Sequence, residues 1–501
     1  MSLQFITGNS GNGKTKYLFN RIVKEAKANP RDNYLVIVPE QFTMQTQRQL
    51  VDLSENKAIM NIDVLSFKRL AYRVFDELGI TNLTVLEETG KNLVLRKLAA
   101  HEADKLGVIG RNLNRIGYIS EVKSLLSELV QYNISPEELG RYIASGRLSD
   151  TLSDKLKDVL VLYEAFEKFM QDKYITAEEI LNVLSNVAEE SAILRNSVIA
   201  FDEFTGFTPI QNQLIKKLFV ISKKIYVTLT IDCREDIFKS RGMQELFDMP
   251  KRTVKSLTEM AAFYGIEVEE PIILDKNYRL AENEELSFME QQLFRKRRCS
   301  FKKVPKHIHI DCLRDPKQEL TKIARRINEL VRNENLRYRD IAIVTGDVNI
   351  YAGYVREIFD KYNIPYFIDA TQEILFHPFI EFIRSIPDIA AQNFSADAVF
   401  RFLRCGFSEL LDSEIDVLEN YVLACGVRGK SAWDKKWVRL PKHKAGYDIE
   451  LLNQSREYIM ELLKPVYQVF SDKKSTVKDY VLAIYKLIVL LDIPDKLAKK
   501  E

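Results

Sequence analysis

Eight residues near the amino terminus, Gly8-Asn9-Ser10-Gly11-Asn12-Gly13-Lys14-Thr15, constrain the fold of this chain more than any others. They fit the pattern of glycine, four residues, then Gly-Lys-Thr. An apolar strand-like run, Leu3-Gln4-Phe5-Ile6-Thr7, precedes them. Helical spacing of Tyr17, Leu18, Ile22, Val23 and Ala26 follows, until Pro30 stops it. Glycines let such a loop turn its backbone N–H groups inward onto phosphate oxygens, and the helix adds the positive end of its dipole. Lys14 is placed to reach the β- and γ-phosphates, and Thr15 to hold Mg²⁺. The expectation is a nucleotide site, with ATP and Mg²⁺ as its ligands, at the carboxyl edge of a parallel sheet.

Phosphate chemistry of this kind needs a carboxylate on a second strand to hold Mg²⁺, and often a neighbouring glutamate as base. Val198-Ile199-Ala200-Phe201 runs into Asp202-Glu203, which supplies both. Asp202 becomes the second Mg²⁺ residue, and Glu203 the one candidate for a catalytic role. The solvated end of a strand is the plainer alternative.

Other chemistries find little support. The five cysteines include no C-x₂-C pair, so neither a disulfide scaffold nor a readable zinc or iron–sulfur site is present. His307 and His309 alternate on an expected strand without nearby carboxylates and are taken as structural. There is no apolar run of about 18 residues and no basic-then-apolar leader. A reduced, cytoplasmic setting with no membrane partner fits. The net charge of +2 means that any nucleic-acid role must rest on local patches.

Along the chain the pattern is α/β for 1–84, helical for 85–195, and α/β again for 196–294. A second α/β pattern covers 295–393, with strands at 307–313, 341–345 and 365–369 and helices at 316–333 and 349–362. The remainder, 394–501, is helical. Ser135-Pro136-Glu137-Glu138 and Thr176-Ala177-Glu178-Glu179 have the form of capping boxes. The fold class is therefore α/β: a parallel-sheet P-loop domain of RecA-like type with a helical insertion, then a partial second RecA-like domain with its own insertion.

The order of motifs resembles a superfamily-one helicase of the UvrD/PcrA type over nearly the whole chain. Ser66-Phe67-Lys68-Arg69 is similar to that family's Thr-Phe-His segment, and Asp202-Glu203-Phe204 with Gln211 to its Asp-Glu-Phe-Gln-Asp segment. Asn277-Tyr278-Arg279 is similar to its Asn-Tyr-Arg motif, which implies that Arg279 approaches the γ-phosphate. The resemblance assigns 1–84 and 196–294 to domain 1A, 85–195 to insertion 1B, 295–393 to a partial domain 2A and 394–501 to a 2B-like insertion. Some family features are missing. Thr205-Gly206 replaces Gln-Asp, the loop Asp232-Cys233-Arg234 holds no sensor glutamine, and the late arginine motif falls outside these residues. These departures imply a helicase fold that kept its P-loop and lost its motor.

Pro39-Glu40-Gln41-Phe42-Thr43 and Phe204-Thr205-Gly206-Phe207-Thr208-Pro209 narrow the resemblance to the amino-terminal half of the AddB (RexB) family, one of the two subunit types of ATP-dependent helicase/nucleases. That resemblance implies an AddA-type partner in a heterodimer, processing of double-strand breaks, and recognition of Chi. It also implies a carboxyl-terminal nuclease domain with Mg²⁺ and an iron–sulfur cluster, outside these residues. By position it places Gln41, Thr43, Ser66, Phe67, Arg69 and Phe207 along a single-strand channel. Aromatic faces suit stacking, cations suit phosphates, and Gln41 suits a base edge; core packing of Phe67 and Phe207 is the alternative. Trp433 and Trp437, four positions apart and expected to share a helix face, are ringed by basic residues including Lys442 and Lys444. They either grip DNA or pack a core. The basic run Arg295, Lys296, Arg297, Arg298, Lys302, Lys303 and Lys306 is either a solvated linker or a phosphate-facing surface. Two functional alternatives remain open: an active DNA-dependent ATPase or helicase, and a P-loop enzyme of kinase type.

Overall fold

Apolar runs bounded by turns become nine strands among the described residues. In chain order they are β1 (Ser2–Gly8), β2 (Tyr34–Ile37), β3 (Ile62–Leu65), β4 (Val85–Leu86), β5 (Ile175–Thr176), β6 (Val198–Phe201), β7 (Lys224–Thr230), β8 (Glu267–Val268) and β9 (Ile272–Leu274). This computed structural model describes residues 1–501 except 82–83, 109, 111–115, 147, 172–173, 296–298, 370–373, 441–446 and 500–501. The chain divides into two units, Met1–Ile310 and Asp311–Glu501.

In the first unit seven strands form one sheet in the order β3-β2-β6-β7-β1-β8, with β9 also pairing with β1. Every pair is parallel, so all carboxyl ends lie at one edge. The central strands are buried on both faces, as parallel strands covered by crossover helices must be. Leu3, Phe5, Leu35, Ile37, Ile199 and Phe201 face one core. Ile6, Val36, Ala200 and Tyr226 face the other, under Leu18, Phe19 and Ile22 of the helix Lys14–Ala28. The α/β reading and its helical insertion therefore hold.

The insertion packs Leu95, Leu126, Leu162 and Phe166 into a core of its own. Ser135 caps the helix Pro136–Ala144 by accepting from the Glu138 amide at 3.3 Å, with Pro136 in the first turn. Thr176 and Glu179 form a reciprocal box: the Thr176 amide donates to Glu179 Oε2 at 2.6 Å, and the Glu179 amide to Thr176 Oγ1 at 3.2 Å.

In the second unit the helices Pro316–Asn333 and Val348–Lys361 pack on each other through Leu320, Ala324, Ile327, Ile358 and Phe359. The strands expected at 307–313, 341–345 and 365–369 are not formed. Their segments carry no ladder among the described residues. Ile310 is 94%, Val344 93% and Phe367 90% exposed. Apolar runs have strand propensity, but a strand exists only with a hydrogen-bonded neighbour. His307 and His309, expected on one strand face, accordingly lie outside any strand ladder and are both exposed, the His307 amide donating instead to Glu285 at 2.8 Å.

The region expected to be helical, 394–501, carries helices from Ala396 onward among the described residues, and the helix Pro378–Ala391 precedes it inside the stretch expected to be α/β. Trp433 and Trp437 do not share a helix face, because the helix Lys430–Asp434 ends before Trp437. Both rings are buried, 5.3 Å apart. Arg456 donates to the Trp433 carbonyl at 2.8 Å and to Asn453 Oδ1 at 3.1 Å, and the Trp437 amide donates to the same Asn453 oxygen at 2.9 Å. The tryptophans are therefore core residues; Lys442 and Lys444 lie outside the described residues. Because the chain's two tryptophans both sit here, their emission reports this unit. Trp433→Ala is expected to destabilise it by about 3–5 kcal/mol, measured by urea unfolding followed through Trp437; an unchanged midpoint would show that Trp433 is not a core residue.

Candidate functional site

β1 delivers the Gly8–Thr15 loop to the carboxyl edge of the sheet. Gly13 (φ 80°) and Gly11 (φ 91°) adopt left-handed backbone that side chains resist. A Cβ on Gly11 would also lie 2.7 Å from Asn277 Oδ1. Lys14 Nζ donates to the carbonyls of Gly8 and Asn9, each at 3.0 Å. Burial lowers the pKa of this ammonium, against the opposing attraction of Glu203 and Asp202. Asn12 Nδ2 donates to the Leu274 carbonyl at the end of β9. Asn277 Nδ2 donates to the Ser10 carbonyl at 3.0 Å, and the Tyr278 amide to that of Gly11 at 3.1 Å. Arg279 follows, with Nη1 3.5 Å from Ser10 Oγ.

Asp202 follows β6, with β7 between it and β1. Its amide donates to the Ile37 carbonyl at 3.1 Å, and its Oδ1 accepts from Thr228 Oγ1. The other oxygen, Oδ2, is buried without a hydrogen-bond partner. Burial pushes the carboxyl's pKa up, with the Thr228 bond opposing it. Glu203, at φ 63°, turns outward, and its Oε1 accepts from Thr15 Oγ1 at 3.3 Å. Lys14, Thr15, Asp202, Glu203 and Arg279 together line a cavity of about 770 Å³. A buried carboxylate oxygen lacking a partner, a hydroxyl beside it and two cations form a donor set that fits a magnesium–polyphosphate ligand.

The second cluster lies on the same edge, after β2, β3 and β6; β2 pairs with both of the others. The Val38 amide joins the Leu65 carbonyl at 3.0 Å. Glu40, which the sequence did not single out, organises it. Its carboxylate accepts from Ser66 Oγ and, at 3.0 Å, from Arg69 Nε, and its carbonyl accepts from Thr43 Oγ1 at 3.0 Å. The Ser66 bond, aided by Arg69 and opposed by burial, holds the Glu40 carboxyl below its usual range. Ser66 also caps its helix through the Arg69 amide at 3.3 Å. Gln41 is exposed in the same turn as Glu40, whereas Thr43 and Ser66 are buried.

Phe67 sits in the core, its ring 5.8 Å from Phe201, 5.5 Å from Phe204 and 6.3 Å from Phe207. Phe204 and Phe207 remain half-buried at the rim. Gln211, matched by resemblance to a site motif, instead accepts from the Thr208 amide at 2.9 Å in a capping box. In the loop after β7, Asp232 is buried and held by Arg234 Nη2 at 2.6 Å and Arg295 Nη2 at 2.7 Å. Burial opposes its ionisation, but these partners take its pKa down to about 2. Arg295 thus belongs to an internal ion pair; Lys296, Arg297 and Arg298 of the same basic run lie outside the described residues.

The profile of the family described as "ADDB, N-terminal" matches residues 5–290. The chain belongs to the AddB family. Relatives named as the B subunits of ATP-dependent helicase/deoxyribonucleases agree with it from end to end. The protein from Lachnoclostridium phytofermentans is 38% identical over 99% of this chain and 44% of its own length. That from Caldanaerobacter subterraneus is 33% identical over 100% and 44%, and that from Clostridium tetani 32% over 99% and 44%. The chain thus spans less than half the length of these AddB relatives. No helix among its described residues is long and apolar enough to cross a membrane.

The raised carboxyl of Asp202 has a measurable consequence. Above that pKa the charged form, desolvated by burial and only partly offset by its hydrogen bonds, destabilises the nucleotide-free fold, and the penalty fades as pH falls through it. Asp202→Asn is expected to raise the melting temperature of the nucleotide-free chain by about 2–4 °C at pH 8, with a gain that shrinks as the pH is lowered toward the ordinary carboxylate range. A less stable variant at pH 8 would contradict the assignment.

Proposed function

We propose that this chain is the helicase-like amino-terminal part of the AddB-type subunit of an ATP-dependent helicase/deoxyribonuclease. It binds Mg·ATP in the phosphate-loop cavity and single-stranded DNA on the neighbouring cluster. One observation carries the proposal: the end of β6 serves both places. Asp202 and Glu203 line the cavity, and Phe204 and Phe207 cap the aromatic cluster. Lys14 and Arg279 supply charge for the phosphates, and Thr15 and Asp202 supply oxygens for Mg²⁺, which when bound neutralises the phosphates and the buried carboxylate.

On the DNA side, Arg69 offers a cation to a phosphate, Phe207 a ring to a base, and Gln41 an amide to a base edge. Thr43, Ser66 and Phe67 hold these in place from below. The internal ion pair at Asp232 occupies the loop where the resemblance expects a γ-phosphate sensor, which favours binding over turnover. In this reading nucleotide binding tightens a scaffold that reads Chi during break processing, beside an AddA-type partner. The nuclease chemistry, with its iron–sulfur cluster, belongs to the part of the relatives that this chain does not span. A second reading, a DNA-dependent ATPase, draws on Lys14, Thr15, Asp202, Glu203 and Arg279 sharing one cavity.

Equilibrium binding of Mg·ATP to the purified chain tests the first site. Wild-type binding lost in Lys14→Ala is the expected outcome, and binding unaffected by that change would contradict it. For the second site, Phe207→Ala is expected to weaken binding to a thymidine oligonucleotide by about 1–3 kcal/mol. Arg69→Ala is expected to weaken it too and to flatten the salt dependence by about 0.7 in log–log slope. Phe67→Ala should lower stability before it alters affinity. Unchanged affinity in both Phe207→Ala and Arg69→Ala would remove the cluster from DNA.

A further inference from the structure

The phosphate loop is tied to a helix that lines no part of the cavity. Asn9 is buried, and its side chain joins two other elements. Oδ1 accepts from the Cys233 amide at 2.9 Å, and Nδ2 donates to Glu290 Oε1 at 2.6 Å. Glu290 stands near the end of the helix Glu284–Gln292. At the start of the same helix, Glu285 accepts from the backbone amides of Lys306 at 2.7 Å and His307 at 2.8 Å. Glu284 pairs with Lys303. This helix contributes no buried residue. Its position therefore depends on these polar ties and on the partly exposed packing of the Phe288 ring against Phe301 at 5.3 Å, with no fully buried side chain of its own, which puts it among the elements that open at low cost.

From this we infer that the helix Glu284–Gln292 transmits occupancy of the phosphate loop to the 303–307 segment, with Glu290 as the residue that positions Asn9. The inference rests on the nucleotide reading above. Lys14 Nζ donates to the Asn9 carbonyl as well as to that of Gly8, so a phosphate that draws on Lys14 acts on the same residue whose side chain Glu290 holds. Linkage makes the effect reciprocal. Whatever Glu290 adds to nucleotide affinity by pre-ordering the loop, bound nucleotide returns as stability of the helix. The chain leaves its first unit at Ile310, a few residues after the segment that Glu285 grips. Nucleotide state is thereby felt at the exit from the sheet domain.

Amide hydrogen exchange of the whole chain, with and without saturating Mg·ATP, tests this. In the wild type, nucleotide is expected to slow exchange across 284–292 and 303–307. In Glu290→Ala, Mg·ATP should still bind, about tenfold more weakly, and both protections should vanish. Glu290→Gln keeps an oxygen acceptor for Asn9 Nδ2 and should restore them. Glu285→Ala should retain protection of the helix and lose it at 303–307. Binding without protection in the wild type, or equal protection in Glu290→Ala, would overturn the coupling and leave the nucleotide site intact. Failure of Mg·ATP to bind at all would overturn both.

Discussion

The burial of Asp202 at the end of β6 is the constraint on which the rest of the site depends. A carboxylate with one oxygen satisfied by Thr228 and the other without a partner is costly in a low-dielectric interior. The apolar strands around it supply the stability that offsets this cost, and the position opens onto the cavity that Lys14, Thr15 and Arg279 also line. Strand order does the placing. With β7 between β1 and β6, the phosphate loop and the carboxylate stand on either side of one strand width, and Thr228 and Thr230 fill the floor. Glu203, held at positive φ, turns the chain from the cavity toward the aromatic rim within one residue.

Under the proposed function, that turn lets one small edge carry two ligands. β6 is shared: its neighbour β7 leads toward the cavity of the Gly8–Thr15 loop, and its neighbour β2 leads toward the Glu40 cluster. Glu40 matters because it converts separate segments into one surface, gathering Thr43, Ser66 and Arg69 around a single residue. Below them the rings of Phe67, Phe201, Phe204 and Phe207 form a continuous hydrophobic bed. A platform of this kind can present a base-stacking face without moving, and preorganisation lowers the entropic cost of gripping a flexible strand.

Much of this was legible from the residues. Lys14, Thr15, Asp202 and Glu203 are local motifs attached to strands, and strands that are apolar throughout announce a parallel sheet. The helices at 316–333 and in the insertion were equally plain, because helical period and caps are local signals. What escaped was non-local. The role of Glu40 depends on β3 lying beside β2, and that of Glu290 on a helix returning to the phosphate loop. That of Arg295 depends on Asp232, buried in a loop far earlier in the chain. Phe67 is as aromatic in a core as in a channel, and only packing decides. Strand signals at 341–345 and 365–369 failed for the same reason: propensity is local, whereas a ladder needs a neighbour.

In the proposed function nucleotide acts by being bound, as a lock on a DNA-gripping edge. One titration addresses it directly: affinity for a thymidine oligonucleotide measured without nucleotide, with Mg·ATP, and with a non-hydrolysable analogue, while phosphate release is followed in the same samples. Equal tightening by ATP and the analogue, with no phosphate released, is the predicted result. DNA-stimulated phosphate release that disappears in Lys14→Ala, with tightening only where ATP is consumed, would contradict it.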